Sequence, residues 1–307
     1  MESLQGLKTR KAAVKNVGTI TKAMEVVSAT KMRKSQEVAL RTRPYAIEVL
    51  RLLRKVARLA GETPWTTARP VHKTLIVVMA SDRGLTGAFN AQVLRTAEAL
   101  IHTESIKNPV AILAIGKKVE RYVQMRGLEL AGSFSGFGDV VAFRDVAHVA
   151  DTIVEGFATN QWDRILTIST HFRTTLKQDV LVRELLPTNF EKLEETIREI
   201  TPEHGRYADT TNSIERDISD IAYILEPSPK VLFDTLMPYL LRMQVYHLVL
   251  EANASEHSAR RVAMKTASDN ADELASALTL AYNKARQAAI TKEIIEITGT
   301  QNALENV

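Results

Sequence analysis

The chain has 307 residues, of which 45% are hydrophobic and 25% are charged, as is typical of soluble globular proteins. It contains no cysteine, which excludes disulfide bonds, thiol nucleophiles and zinc–thiolate sites. The net charge of +4 is too small to indicate a class of partner. No apolar run reaches the ~20 residues that a membrane-spanning helix needs. We therefore expect a protein of a reducing compartment, without a membrane span of its own.

Positive charge is concentrated at the amino-terminal end, because residues 1–43 carry ten Lys or Arg and only three Glu. A mitochondrial transit peptide is also basic and amphipathic, but this segment contains Glu2 and Glu25 and continues a long helical pattern, which favours a structural role. Its charge fits an acidic protein partner or, through phosphate neutralisation, nucleic acid. The segment lacks interleaved aromatic residues and any recognised DNA-binding motif, so we expect a protein partner and no nucleic acid.

Residues 1–59 predict one long helix. There is no Gly between Gly18 and Gly61, and Pro44 is the only Pro in that stretch. Apolar residues recur there at spacings of three and four, as on one face of a helix. We expect a kink at Pro44, because proline removes a backbone donor and crowds the preceding turn.

The middle of the chain, residues 70–225, alternates between strand and helix patterns. Such alternation predicts a parallel or mixed sheet covered by helices, a Rossmann-like α/β domain. Residues 187–213 are polar and irregular and are interpreted as an insertion. The predicted strands are 74–80, 110–116, 164–170, 180–186 and 218–225, and the predicted helices are 89–103, 117–126 and 145–157.

The last third predicts a second long helix, which begins at Ser228 and Pro229 and ends at Gly299. About 70 helical residues would span about 105 Å, roughly twice the ~50 Å diameter of a compact globule of this length. Such a helix must protrude, unless Pro238 or another break folds it back, and a protruding helix needs a partner for its apolar face.

The only other long helix lies at the amino-terminal end, so we predict an antiparallel coiled coil attached to the α/β domain. The predicted domains are 1–60, 70–225 and 228–302. Heptad spacing places the coiled-coil seam, meaning the residues between the two helices, at Val14, Val17, Val27, Ala267, Ala271, Leu274, Leu278, Ala281, Ala285 and Ala288.

Few motifs suggest chemistry. A Gly-rich turn at 81–87, SDRGLTG, follows the first predicted strand, where phosphate can bind at a helix N-terminus. It lacks both recognised phosphate-binding spacings, so a tight strand-to-helix turn is the favoured interpretation and an enzyme of the α/β domain is the alternative. The seven His have no metal-ligand spacing, and residues 132–136 are interpreted as a loop. We expect no catalytic site, cofactor or metal.

Several segments resemble the gamma subunit family of F-type, proton-translocating ATP synthases. They occur in the order found in that family and cover both ends and the frame of the middle domain. Arg261, Thr86 and Ala88 depart from residues that the family often has, and 187–213 matches poorly. The resembling segments are ITKAMEVVSATKMRK at 20–34, SDRGLTG at 81–87, EPSP at 226–229, ASEH at 254–257, VAMK at 262–265, SDN at 268–270 and YNKARQAAIT at 282–291.

This resemblance implies a non-catalytic rotor subunit of the central stalk. Its paired helices would turn inside a ring of alternating alpha and beta subunits. Its α/β domain would rest, with the epsilon subunit, on a membrane-embedded ring of c-type subunits, on the cytoplasmic face of the bacterial plasma membrane. Proton flow would then drive ATP synthesis in the beta subunits. By the same resemblance, the residues that contact the surrounding subunits would be Lys22, Met24, Lys31, Arg33, Arg286, Gln287 and Thr291.

Overall fold

Two very long helices and one five-stranded sheet form the part of the chain that the structure describes. This computed structural model describes residues 3–61, 63–137, 141–188 and 226–305. Contacts divide the chain into two compact units, residues 1–27 with 261–307, and residues 28–260. The three domain ranges suggested by the sequence stay a prediction.

The first long helix, α1 (Leu4–Ala60), begins at a serine and ends at a glycine. The backbone amide of Gly6 donates to Ser3 Oγ at 3.1 Å, which satisfies one of the amides that a helix start leaves unpaired. Gly61 follows the last turn with φ of +69°, the left-handed conformation that often ends a helix. The helix is continuous through Pro44, and the kink expected there stays a prediction.

The second long helix, α5 (Pro229–Glu305), starts where the sequence predicts. Ser228 Oγ accepts a hydrogen bond from the Val231 amide at 3.3 Å, and proline occupies the first helical position. The predicted end at Gly299 is wrong, because the helix continues to Glu305. A single glycine costs a helix only about 1 kcal/mol, which is too little to stop one this long.

The sheet has the strand order β3-β2-β1-β4-β5, the Rossmann-type order that the alternating pattern suggests. Neighbouring strands are parallel, except that β5 runs antiparallel to β4. The strands are β1 (Thr74–Met79), β2 (Val110–Ile115), β3 (Leu130–Phe134), β4 (Arg164–Phe172) and β5 (Gln178–Leu186). The connecting helices are α2 (Phe89–Ser105), α3 (Lys117–Arg126) and α4 (Phe143–Ala158).

Strand β3 is absent from the sequence prediction, which makes a loop of residues 132–136. In the structure, Gly132, Ser133 and Phe134 pair in parallel with β2. An edge strand of five residues, none of them fully buried, lacks the continuous apolar run that marks a central strand. The predicted strand at 218–225 and residues 189–213 of the predicted insertion lie outside the described residues.

Helices cover both faces of the sheet. Ile76 and Val78 share one core with residues of α2 and α3. Val77, on the opposite face, belongs to a larger core with residues of α4, the middle of α5 and Val56 of α1. The long helices are therefore part of the core that holds the sheet.

Replacing Gly116 tests the turn between β2 and α3. Gly116 precedes α3 with φ of +97°, and an added Cβ would lie 2.0 Å from the carbonyl oxygen of Ala80. Gly116→Ala is expected to lower the free energy of unfolding by at least about 2 kcal/mol, from backbone strain and a clash with main chain. Gly84→Ala, where nothing lies within 4 Å, is the control. Chemical unfolding of the full chain measures both, and equal stability of the two variants would contradict the described turn.

Candidate functional site

The first compact unit, called the stem here (residues 3–27 of α1 with 261–305 of α5), is a close helix pair. A Cβ added to Gly18 would lie 3.3 Å from the Cβ of Ala271. One turn further along α1, a hydrogen bond from Lys22 to Glu25 and the charges of Glu25, Asp269 and Asp272 raise the pKa of Lys22. The two helices thus pack with small residues between them and charged residues beside them.

The residues buried between these helices follow a heptad pattern, with alternating steps of four and three. On α1 the fully or partly buried positions include Leu4, Leu7, Lys11, Val14, Gly18, Thr21 and Glu25. On α5 they include Met264, Ser268, Ala271, Ala275, Leu278, Tyr282, Ala285 and Ala289. Many of these side chains are small or polar. The helices therefore approach each other closely, and they bury little apolar area between them.

This buried stripe shares four residues with the predicted seam: Val14, Ala271, Leu278 and Ala285. The other predicted residues lie beside it. Val17 and Val27 are each 52% exposed and Leu274 is 43% exposed; Ala267 is half-buried, and Ala281 and Ala288 are exposed. On α5 the prediction and the buried stripe share every seventh residue, Ala271, Leu278 and Ala285, whereas each predicted residue between them lies one position before the buried one.

The stem also exposes large apolar side chains that its own packing leaves uncovered. A set of this size on one helix pair indicates a surface that contacts other molecules. The exposed residues are Val17, Ile20, Val26, Val27, Leu274, Leu280, Ile290, Ile294, Ile295 and Ile297.

The predicted contact residues fall into two groups, one on α1 between residues 22 and 33 and one on α5 between residues 286 and 291. Arg33, Arg286, Gln287 and Thr291 are exposed, whereas Met24 and Lys31 are half-buried. The side chain of Lys22 is 61% exposed but lies 2.9 Å from Glu25 Oε2. Because Gly18 meets Ala271, residue 286 lies about 22 Å further along α5. The structure therefore does not bring Lys22 and Arg286 into one site.

In the second compact unit, polar contacts hold α5 against α1 and against the sheet. Thr42 Oγ1 of α1 lies 3.2 Å from His247 Nε2 of α5. Ser255 Oγ donates to the carbonyl oxygen of Thr170 at 3.2 Å, and Ser258 Oγ donates to that of Thr175 at 2.9 Å. The carboxyl end of β4 is thus tied to one face of α5.

The carboxylate of Asp82, in the turn at 81–87, joins this turn to two other segments of the α/β domain. Asp82 Oδ1 accepts a hydrogen bond at 3.0 Å from the amide of Lys117 at the start of α3. Asp82 Oδ2 accepts another at 2.8 Å from the amide of Gly136. At the start of α2, the helix that this turn precedes, Asn90 Oδ1 accepts from the Ser81 amide at 3.1 Å and Asn90 Nδ2 donates to Thr86 Oγ1 at 3.0 Å, so the polar side chains of the turn bond to one another. The structure favours the tight-turn interpretation.

Glu256 of α5 lies near this turn and near α1. Burial raises the pKa of Glu256, and the charge of Asp82 adds to that effect. The charges of Arg260, whose guanidinium is 2.6 Å away, and of Lys31 oppose the shift without cancelling it. Within the described ranges, no group of three or more His, Cys, Asp or Glu is placed to hold a metal ion.

The chain matches a family model described as ATP synthase over residues 3–304. It is 36% identical to the ATP synthase gamma chain of Salinibacter ruber, covering 99% of each chain. It is 38% identical to the ATP synthase gamma chain of Roseiflexus castenholzii, again over 99% of each.

Solved structures share the fold. A chain from the Euglena gracilis mitochondrial ATP synthase (OSCP/F1/c-ring) has a TM-score of 0.65 at 20% identity, covering 98% of this chain and 94% of that one. A chain from the central stalk/c-ring of the Tetrahymena thermophila enzyme has a TM-score of 0.59 at 22% identity, covering 81% of this chain and 99% of that one. Among the residues described above, no helix is both long and apolar enough to cross a membrane.

A matched pair of substitutions tests the stem packing. Leu278 is 8% exposed and Leu280, two residues further on, is 74% exposed. Leu278→Asp is expected to lower the free energy of unfolding by about 3 kcal/mol or more, because it buries an unpaired charge. Leu280→Asp should cost less than about 0.5 kcal/mol. Chemical unfolding of the full chain compares them, and similar losses would mean that the helices pair through another face.

The environment of Glu256 predicts a pH-dependent effect. Its folded-state pKa is above its unfolded value of about 4.3, so the folded chain binds this proton more tightly. The contribution of Glu256 to stability therefore falls as the pH rises through the interval between these two pKa values. Glu256→Gln should gain stability relative to the unsubstituted chain between pH 4 and pH 7. Glu273→Gln, at an exposed position, is the control in denaturant titrations, and a constant difference across pH would contradict the raised pKa.

Proposed function

This chain belongs to the ATP synthase gamma chain family, and we infer that its stem and its α/β domain work together as the rotor of the central stalk. As a subunit of that kind it has no catalytic site of its own. It couples proton flow through the membrane sector to ATP synthesis, or hydrolysis, in the catalytic beta subunits. The observation that carries this function is the close helix pair with large apolar side chains exposed on its outside, among them Val17, Ile20 and Leu280.

A rotor acts on catalytic subunits only if it contacts them differently at each orientation. A ligand shifts a conformational equilibrium only through its differential affinity for the two states. The stem is asymmetric: α1 carries exposed Val17, Ile20 and Val27, whereas α5 carries exposed isoleucines near its carboxyl end. In a ring of three equivalent catalytic sites, such a pair presents a different surface to each one.

The partners follow from this position. Alternating alpha and beta subunits surround the stem, and the epsilon subunit and the ring of c-type subunits contact the α/β domain. The similar structures from Tetrahymena thermophila, a central stalk with c-ring, and from Euglena gracilis, an OSCP/F1/c-ring assembly, support this arrangement. The complex is associated with a membrane. Because the relatives are bacterial gamma chains, we place this chain on the cytoplasmic face of the plasma membrane.

Seven residues are proposed to contact the surrounding subunits. The exposure of five of them (Lys22, Arg33, Arg286, Gln287 and Thr291) supports the proposal, since a contact residue must be accessible in the free chain. Lys31 is half-buried and its charge acts on Glu256, so its role is shared with the packing of α5. The proposed residues are Lys22, Met24, Lys31, Arg33, Arg286, Gln287 and Thr291.

Assembly with alpha and beta subunits tests the function. The purified full chain is expected to hydrolyse no ATP by itself. Added to alpha and beta subunits and to the membrane sector, it should restore ATP-driven proton pumping, measured in vesicles by a fluorescent pH probe. Turnover by the chain alone, or pumping without it, would contradict a rotor role.

Within that assay, Arg286→Glu tests the proposed contact surface. Reversing an interface charge is expected to reduce pumping on the order of tenfold without changing the unfolding of the chain, because Arg286 is exposed. Arg95→Glu, the same change at an exposed position on α2, should have little effect. Equal pumping by both variants would remove Arg286 from the contact surface.

A further inference from the structure

The connection between α1 and β1, residues 61–73, is fastened to the sheet. Trp65 is 8% exposed, and its ring stacks on that of Phe157 with centroids 5.8 Å apart. The carbonyl oxygen of Trp65 accepts a hydrogen bond at 3.0 Å from the amide of Thr188, which follows β5. Trp65 thus contacts both α4 and the segment after β5.

Arg69 makes the largest set of contacts in this connection, all with residues 157–163 between α4 and β4. Its guanidinium donates to the carbonyl oxygens of Phe157, at 3.1 Å, and Trp162, and to the side-chain oxygen of Asn160. The guanidinium carbon also lies 4.4 Å from the centre of the Phe157 ring. A planar group with several fixed donors is needed to make these contacts together.

Asp163 completes the attachment. Its Oδ1 lies 2.9 Å from Arg69 Nε without the alignment of a hydrogen bond, so this contact is an ion pair. Its Oδ2 accepts from the amides of His72 at 2.9 Å and Lys73 at 3.1 Å, and its own amide donates to the carbonyl oxygen of Lys73 at 2.9 Å. Burial alone would raise the pKa of Asp163, but these hydrogen bonds and the charge of Arg69 hold it below its usual value.

We propose that Arg69 and Asp163 are positioning residues for energy coupling, because they hold residues 65–73, which follow the end of α1, against the sheet. Apolar packing, such as that of Val56 in the core, resists separation of a helix from a sheet but allows packed elements to slide by small amounts. A connection hydrogen-bonded at residues 65, 69, 72 and 73 opposes such sliding. Torque on the α/β domain then reaches α1 without displacing it along its axis. This inference rests on the rotor function.

The test compares substitutions in the assembled synthase in membrane vesicles. Protons pumped per ATP hydrolysed is the readout, because a residue needed only for folding would change the amount of enzyme and leave this ratio unaltered. Arg69→Ala is expected to lower the ratio at least about twofold, with hydrolysis per assembled complex close to that of the unsubstituted enzyme. Arg69→Lys, which keeps the charge and loses the planar donors, should lie between the two.

Arg126→Ala is the matched control. Arg126 also makes an ion pair, 2.6 Å to Glu98, and also lies over a ring, 5.6 Å from the centre of Tyr122. It joins α2 to α3 and does not touch the connection, so its removal should leave the ratio unchanged. An equal ratio in Arg69→Ala and Arg126→Ala would overturn the proposal.

Two further comparisons distinguish a failed positioning role from a defect in assembly and from a failed rotor function. If Arg69→Ala reduces assembly, Arg69→Lys and Asp163→Asn replace it, and unaltered ratios in both would again overturn the proposal. If the unsubstituted chain itself restored no pumping, the rotor function would fail. If that chain pumps normally and the Arg69 variants pump equally well per ATP, only the positioning role fails.

Discussion

At Gly18 the two long helices come so close that a single added carbon would lie 3.3 Å from the side chain of Ala271. The stem depends on this proximity. Small side chains such as Gly18, Ser268 and Ala271 between the helices let them pack tightly, while several large apolar side chains, among them Val17, Ile20 and Leu280, lie on the outside of the pair. The positions of small and large side chains along the two helices thus determine both how the helices pack and which apolar residues the pair exposes to other subunits.

The α/β domain has a Rossmann-type strand order, and contacts within the chain take up the carboxyl edge of its sheet. In such sheets, ligands bind at the carboxyl ends of the strands, where the strand order reverses. Here that edge is closed by Asp82, which joins the start of α3 to the segment after β3, and by α5, which is bonded to the end of β4. The edge that elsewhere binds a small molecule supports a helix of the same chain.

The sequence predicts long and strongly periodic elements well. Both long helices and the central strands follow from apolar spacing, because burial on one or both faces dictates it. The edge strand β3 was missed since an edge needs no continuous apolar run. The predicted seam differs from the buried stripe at Val17, Val27 and Leu274, which are exposed, because an apolar residue on an exposed face and one in a core look alike in a single sequence. The ion pair between Arg69 and Asp163 joins residues 94 positions apart. Local sequence patterns could not predict it, because they relate only residues that are close along the chain.

The uncovered isoleucines at the end of α5 have a consequence for the production of the protein. Ile290, Ile294, Ile295 and Ile297 are between 45% and 68% exposed, and such a surface promotes aggregation when no partner covers it. Chains made in excess of the other subunits are therefore expected to aggregate, and binding by those subunits would protect this end of α5.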